Sequence, residues 1–484
     1  MNSQWHHGGF GRSLGVFFLA LLCSGAALIQ TAFAAPRLKV SPDHHWLQYA
    51  DGQPFFYLGD TAWHMFAKLN REQADLYLTN RAAKGFTVIQ ACVLNGGPLL
   101  EEPNPYGDKP LIGRDPDKRN EAYFRNVDYI VNKAESLGLF IGMLPTWGDN
   151  WRRYGAKPPY VFNAENARSY GRFLGARYKD KPIIWILGGD SGVRTDEERA
   201  IIEAMAAGLR EGDGGSHLIT YHPRGPGRSS DYFQDSSWLD FNMYQSSHGA
   251  HDHDNGMFAE HDYALQPTKP TLDGEPRYET LMVGFYYAGA SKFDRFDDYD
   301  VRQAAYWSVL SGACGHTYGD NNIWQMWDPN RKREIGKPEI YPNLSWQQSL
   351  DHPGAFQMGI LRRLFESRPF QKLAPDPALV VNGPRDGGAK IRSERANDGS
   401  FAFIYSPRGE SFTVDQSRLK ALHLKEIWFD PRYGSSYDIH TFTNEGYQTY
   451  TPPTSGRGQD WLLILEDEAA GFPTPSTFTT PSRQ

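Results

Sequence analysis

The sequence predicts a (β/α)8 barrel followed by a small antiparallel β-sandwich, and three observations carry that reading. Short apolar runs alternate with amphipathic, helix-like stretches from about residue 55 to 366, the pattern of a parallel sheet with covering helices. There are eight such runs, the number that closes a barrel. After about residue 370 the pattern changes to short β-branched or aromatic runs separated by turns about every ten residues, as in a sandwich.

The barrel strands are expected at Phe55–Asp60, Thr87–Leu94, Phe140–Trp147, Ile183–Asp190, Leu218–His222, Leu239–Tyr244, Pro270–Glu275 and Ala313–Tyr318. Between them, helical periodicity falls at Arg71–Lys84, Glu121–Leu137, Ala164–Tyr178, Asp196–Glu211, Gly256–Leu265 and Val301–Leu310. Gly85 and Gly138 follow the first two in the helix-ending position. A doubly wound sheet is disfavoured, because no Gly-rich phosphate loop follows the first strand. Before the barrel, Leu38–Phe56 reads as a hairpin turned at Asp51-Gly52 that plugs the barrel's lower end. The expected sandwich strands are Ala378–Val381, Lys390–Ser393, Phe401–Ser406, Phe412–Val414, Leu424–Asp430, Gly446–Tyr450 and Trp461–Leu465.

The expected divisions are therefore a leader over 1–34, a barrel over 35–369, a sandwich over 370–467 and a disordered Pro/Ser/Thr-rich tail over 468–484. In the leader, Arg12 precedes an apolar run from Leu14 to Ile29, and Ala32-Phe33-Ala34 supplies a small-x-small cleavage pattern. The run is short for a membrane span, so the mature chain is expected to be exported, periplasmic or extracellular, without membrane insertion. The net charge is −7 with no long basic block, which argues against nucleic acid as a partner. After cleavage, Cys92 and Cys314 remain, on the second and eighth strands. Two strand spacings are roughly 9–10 Å, beyond disulfide reach, so both are expected as buried thiols.

Chemistry is expected where parallel-barrel strands end. Ile183–Asp190 and Pro270–Glu275 are each apolar runs that reach Gly and then present an acid. Asp190 and Glu275 would face each other across the barrel mouth, and a pair of carboxylates is the minimum equipment for hydrolysing a glycosidic bond. Other strand ends offer ligand contacts for an oligosaccharide or polysaccharide: Asp60, Trp63 and His64 after strand one, Trp147 after strand three, His222 after strand five, Tyr244 and Gln245 at strand six, and His316 on strand eight. Tyr244 is expected to orient the nucleophile, since strand six neighbours strand seven and a phenol can donate to a carboxylate. The histidine-rich stretch His248–Asp254 has metal-like density, but no His-Glu-x-x-His motif accompanies it; its plain reading is a polar loop over the site, with no metal and no cofactor. A Ser nucleophile is disfavoured by the lack of a Gly-x-Ser-x-Gly elbow.

Four stretches resemble a known family: Phe56–Trp63 (FYLGDTAW), Lys84–Gln90 (KGFTVIQ), Trp185–Asp190 (WILGGD) and Tyr318-Gly319. They are similar to the apiosidase-like barrel of glycoside hydrolase family 140, over roughly Leu38 to Arg368. Members carry a C-terminal sandwich labelled the collagen-binding domain of a collagenase, which residues from about 370 to 466 resemble. The resemblance implies a secreted retaining exo-glycosidase acting on a plant cell-wall glycan, with β-apiosyl linkages of the pectin rhamnogalacturonan II as substrate. It implies Asp190 as acid/base and Glu275 as nucleophile. The large retaining clan of barrel glycosidases keeps these groups on strands four and seven, but with Asn-Glu where this chain has Gly189-Asp190. The alternative from another class is a non-catalytic glycan-binding protein on the same scaffold, which the presence of both acids argues against.

Overall fold

A computed structural model describes residues 36–151, 158–331 and 340–475. The expected leader, and the tail beyond 475, lie outside the described residues. Eight parallel strands form one curled sheet: Tyr57–Thr61, Val88–Leu94, Phe140–Thr146, Ile183–Leu187, Ile219–Tyr221, Asn242–Gln245, Thr271–Glu275 and Gly315–Tyr318. In space they run five-four-three-two-one-eight-seven-six. Each crossover brings the chain back beside its predecessor, as right-handed βα units require. The sheet's two edges, strands five and six, meet through bonds from Asp240 N to Ile219 O (2.9 Å) and from Thr220 Oγ1 to Phe241 O (2.7 Å). An additional short strand, Gly227–Arg228, pairs antiparallel with strand six.

The helices start where their caps dictate. Asn70, Asn163 and Asp297 each close a capping box on Arg71–Ala83, Ala164–Arg177 and Asp298–Val309, satisfying backbone N–H groups that the first turn leaves open. Thr195, not Asp190, caps Asp196–Asp213. A helix that periodicity did not mark, Pro353–Glu366, follows strand eight. Leu38–Val40, Leu47–Tyr49 and Pro54–Phe55 form a three-stranded sheet. Phe55 meets Phe140, the first residue of strand three, edge-on at 5.3 Å, so this sheet closes the strands' N-terminal end. Cys92 and Cys314 are free and buried.

The C-terminal residues form two antiparallel sheets. One has six strands in the order Leu373–Pro375, Arg392–Ala396, Phe401–Ser406, Trp461–Asp467, His423–Asp430 and Ser435–Thr443. The other has three: Val380–Asn382, Phe412–Asp415 and Tyr447–Tyr450. Successive strand residues point to opposite faces, and Phe401–Ser406 is buried on both. Ala402 and Ile404 pack with Val414, Trp428 and Leu463 between the two sheets. Phe401, Phe403 and Tyr405 face the barrel: Phe403 lies 5.2 Å from Phe365, and Tyr405 stacks on Tyr306 at 4.7 Å.

Glu394 stands at this junction with no side-chain hydrogen bond, only the Gly312 backbone N–H near it. Burial pushes its carboxyl well above the usual range. Its neutral form is therefore the one the fold accepts. That stabilising preference is fully present below the unfolded value, about pH 4.3, and is lost as pH rises towards the raised folded value. Glu394→Gln is thus expected to melt progressively higher than wild type as pH increases from 5 to 8. A melting difference that stays constant over that range would refute the buried-acid assignment.

Candidate active site

Strand four ends at Leu187 and its acid lies three residues on, in a turn. Gly188, Gly189 and Asp190 all have positive φ, at 95°, 78° and 55°, a region that L side chains enter at a cost. The turn is also confined. A β-carbon on Gly188 would stand 2.3 Å from His222 O, and one on Gly189 would stand 2.9 Å from Trp147 Cα. The turn is held by Gly148 N donating to Gly189 O (3.0 Å) and Trp151 Nε1 donating to Gly188 O (2.8 Å). This backbone leaves no room for the Asn of the Asn-Glu pattern. Gly-Gly instead brings Asp190 to the mouth between the ends of strands three and five.

Glu275 reaches the mouth by a different device. Strand six pairs Tyr244 with Asp273 and then Gln245 with Glu275, so Gly274 is an extra residue in strand seven. Such a bulge re-aims a side chain. In regular alternation, Glu275 would point outward with Asp273; the bulge turns it inward. Gln90 on strand two braces the bulge, donating to Gly274 O (3.1 Å) and to Thr317 Oγ1 (3.0 Å).

Two histidines hold the Glu275 carboxylate. His248 Nε2 is bonded to Oε1 at 3.1 Å, and His222 Nε2 lies 3.0 Å from Oε2. His222 Nδ1 accepts the Asp190 backbone N–H at 3.1 Å, which leaves Nε2 as the ring nitrogen on the Glu275 side. One imidazole therefore joins the turn bearing the first acid to the carboxylate of the second. Burial pushes the Glu275 carboxyl up, but the bonds from His222 and His248 overcome it and bring the value down to about 2. Glu275 is an anion throughout the physiological range.

Aromatic rings line the same place. Trp63 lies 5.4 Å from Trp147 and 5.2 Å from His222. Tyr278, three residues beyond Glu275, has its hydroxyl beside Glu275, Thr61 and Trp63, and burial with the Glu275 charge keeps it protonated. Its ring stands 4.7 Å from His248. Tyr278 and His248 were missed as site residues by sequence reasoning. The only signal for Tyr278 was its position just beyond the acid.

The remaining expected contacts fall elsewhere. Asp60 is wholly buried, ion-paired to Arg81 at 2.6 Å and accepting from Tyr77 at 2.5 Å; it ties strand one to helix Arg71–Ala83 instead of facing a sugar. Tyr244 does not touch Glu275: it points outward with Asp273, and its hydroxyl bonds Ser308 at 2.5 Å. His316 pairs with Asp273 in register and is likewise buried; burial, reinforced by Arg277, lowers it to about 3 and keeps it neutral. Gln245 is buried against Gly225. His64 packs edge-on against Trp324 at 5.2 Å.

The histidine-rich stretch does not converge on one point. His248 goes to Glu275, and His251 lies between Asp294 (2.8 Å) and Asp300 (3.0 Å). Among the described residues, a cluster with metal-compatible spacing is Glu279, Asp320 and His352. Its members have structural partners: His352 Nδ1 lies 2.7 Å from Asp320 Oδ2, and Glu279 accepts from Tyr318 OH (2.5 Å) and Gly354 N (3.1 Å). These bonds anchor helix Pro353–Glu366 to strand eight.

Residues 41–372 match the family described as "Apiosidase-like, catalytic domain", and residues 374–466 match the "Putative collagen-binding domain of a collagenase". A solved structure described as "Glycoside hydrolase" is 33% identical, with a TM-score of 0.80, covering 90% of this chain and 97% of that one. A glycoside hydrolase family 5 structure from Bacteroides vulgatus is 32% identical, also with a TM-score of 0.80, covering 90% of this chain and 93% of that one. No curated protein matches.

Proposed function

The chain belongs to the apiosidase-like family of glycoside hydrolases, and from that premise we propose that it is an exported, retaining exo-glycosidase that removes β-linked apiose from rhamnogalacturonan II. The observation that carries the reading is His222, whose two nitrogens reach Asp190's backbone and Glu275's carboxylate. Its ring links the backbone of the turn that carries Asp190 to the Glu275 carboxylate, which supports the two acids working as a pair.

In this reading Glu275 attacks the anomeric carbon as Asp190 protonates the departing glycosidic oxygen, and the C–O bond breaks. The glycosyl ester on Glu275 neutralises the anion that His222 and His248 held. Asp190, now a carboxylate, takes a proton from water, which attacks the same carbon and frees Glu275. Trp147, half-buried and backed by Trp63, supplies an apolar face for the sugar ring. The leader pattern before Ala35 supports export.

The test is hydrolysis of rhamnogalacturonan II oligosaccharides, with released sugar identified by chromatography and its first-formed anomer read by NMR. Apiose released as the β anomer is the expected outcome. The α anomer would assign Asp190 and Glu275 to activation of a water by inversion instead. Release of a different sugar, or of none, would remove apiose as the substrate.

A further inference from the structure

The segment after strand seven forms a two-armed loop whose tip leans on the site. Its arms are joined by Thr280 N to Phe296 O (2.9 Å), Phe296 N to Leu281 O (3.0 Å) and Val283 N to Asp294 O (2.9 Å). Its tip turns at Gly284, where Tyr287 N donates back to Gly284 O (2.7 Å). The tip exposes two rings, Tyr286 at 47% and Tyr287 at 60%, set edge-to-face 4.6 Å apart.

Three bonds fix this tip to the segment that carries His248. Gly284 N donates to His248 O at 2.8 Å, the Tyr286 hydroxyl bonds Ser247 Oγ at 2.7 Å, and His251 Nε2 meets Asp294 Oδ1 at 2.8 Å. Ser247 has a φ of 93°, a strained conformation for a residue with a side chain, of the kind found at functional sites. Phe285, between the arms and the tyrosines, lies 6.2 Å from the His248 ring. The ledge is thus continuous with the residue that grips Glu275, yet its rings face solvent.

We propose that Tyr286 and Tyr287 bind the leaving-group side of the glycan, stacking against the sugar next to the scissile bond. This deepens the reading above and rests on it: an exo-enzyme encloses the terminal sugar, so a surface beside the pocket meets what remains attached. Tyrosine suits the task, since its ring offers a rigid apolar face with little rotamer entropy to lose and its hydroxyl can be anchored. Tyr286 is anchored in this way, through Ser247.

The test is calorimetric binding of rhamnogalacturonan II oligosaccharides to the full chain carrying Glu275→Gln, alone and combined with Tyr287→Ala or Tyr287→Phe. Loss of one ring–sugar stack is expected to weaken binding about tenfold in the Ala variant, with most of the affinity restored by Phe, which keeps the ring. Equal affinity in all three proteins, or no binding in any, overturns the ledge. Apiose release by the wild-type enzyme is scored separately: release without an effect of Tyr287→Ala refutes the ledge and spares the proposed function, whereas a ring-dependent affinity without release does the reverse.

Discussion

Glu275→Gln is expected to lower kcat by about 10³-fold or more, the loss of covalent catalysis, while oligosaccharide binding survives. The change is nearly isosteric, and the amide can still accept from His222 or His248 through its oxygen, so the mouth should keep its shape. In Glu275→Ala, which vacates the carboxylate's space, a small anionic nucleophile such as azide should restore part of the rate by attacking from where the carboxylate stood. Removing His248 makes a second, independent statement about the same group. Burial and the two histidines act in opposite directions on Glu275, and the histidines prevail. With His248→Ala, one of the two restraining bonds goes and burial gains weight, so the carboxyl rises and takes up a proton at higher pH. The acid limb of the kcat/KM profile should therefore move upward relative to wild type, while the alkaline limb stays in place. Near-normal turnover by Glu275→Gln would end its assignment as nucleophile; an unmoved acid limb in His248→Ala would show that the histidine does not hold the charge.

The barrel was legible because its strands are buried on both faces and read as near-continuous apolar runs. Phe140–Thr146, all seven residues buried, is the plainest case. The two acids were legible for the same reason, since a charge at the end of such a run stands out. What the sequence hid were facts of facing. Tyr244 sits at the right height on the neighbouring strand but points outward, and only the bulge at Gly274, a register shift between two strands, decides that Glu275 does not. Asp60 looked like a sugar ligand at a strand end, yet its partner Arg81 is 21 residues away on a helix whose polar residue gave no hint of being buried. His248 belonged to a stretch dense in histidine, and its role emerged only when the chain separated it from His251. Ser435–Thr443 was missed outright: its residues are mostly exposed and polar, so a nine-residue strand paired along one edge left no apolar signature.

Asp460→Ala is expected to destabilise the whole chain by about 3–5 kcal/mol, the cost of leaving a buried charge without its partner. Arg302, on helix Asp298–Val309, is 1% exposed at its side chain and donates to both Asp460 oxygens, Nη2 to Oδ1 at 2.6 Å and Nε to Oδ2 at 2.8 Å. Asp460, from the sandwich, also accepts from Tyr405 OH at 3.0 Å. Removing the carboxylate deserts two guanidinium donors and a phenol in a place water does not reach. Gln357 and Asp298 continue to bind Nη1, which prevents recovery by a simple swing of the side chain. The consequence extends beyond local strain, because helix Asp298–Val309 runs into strand eight and bonds the sandwich at Trp307 Nε1 to Lys390 O (2.9 Å). Barrel and sandwich therefore share one buried seam. Chemical denaturation followed by both activity and fluorescence should show a single transition shifted to lower denaturant in Asp460→Ala. The double change Arg302→Met with Asp460→Leu, which replaces charges with apolar volume, should recover most of the loss. A cost below about 1 kcal/mol, the scale of an exposed pair, or an activity transition that does not follow the fluorescence one, would show the seam to be dispensable and the two parts to be energetically independent.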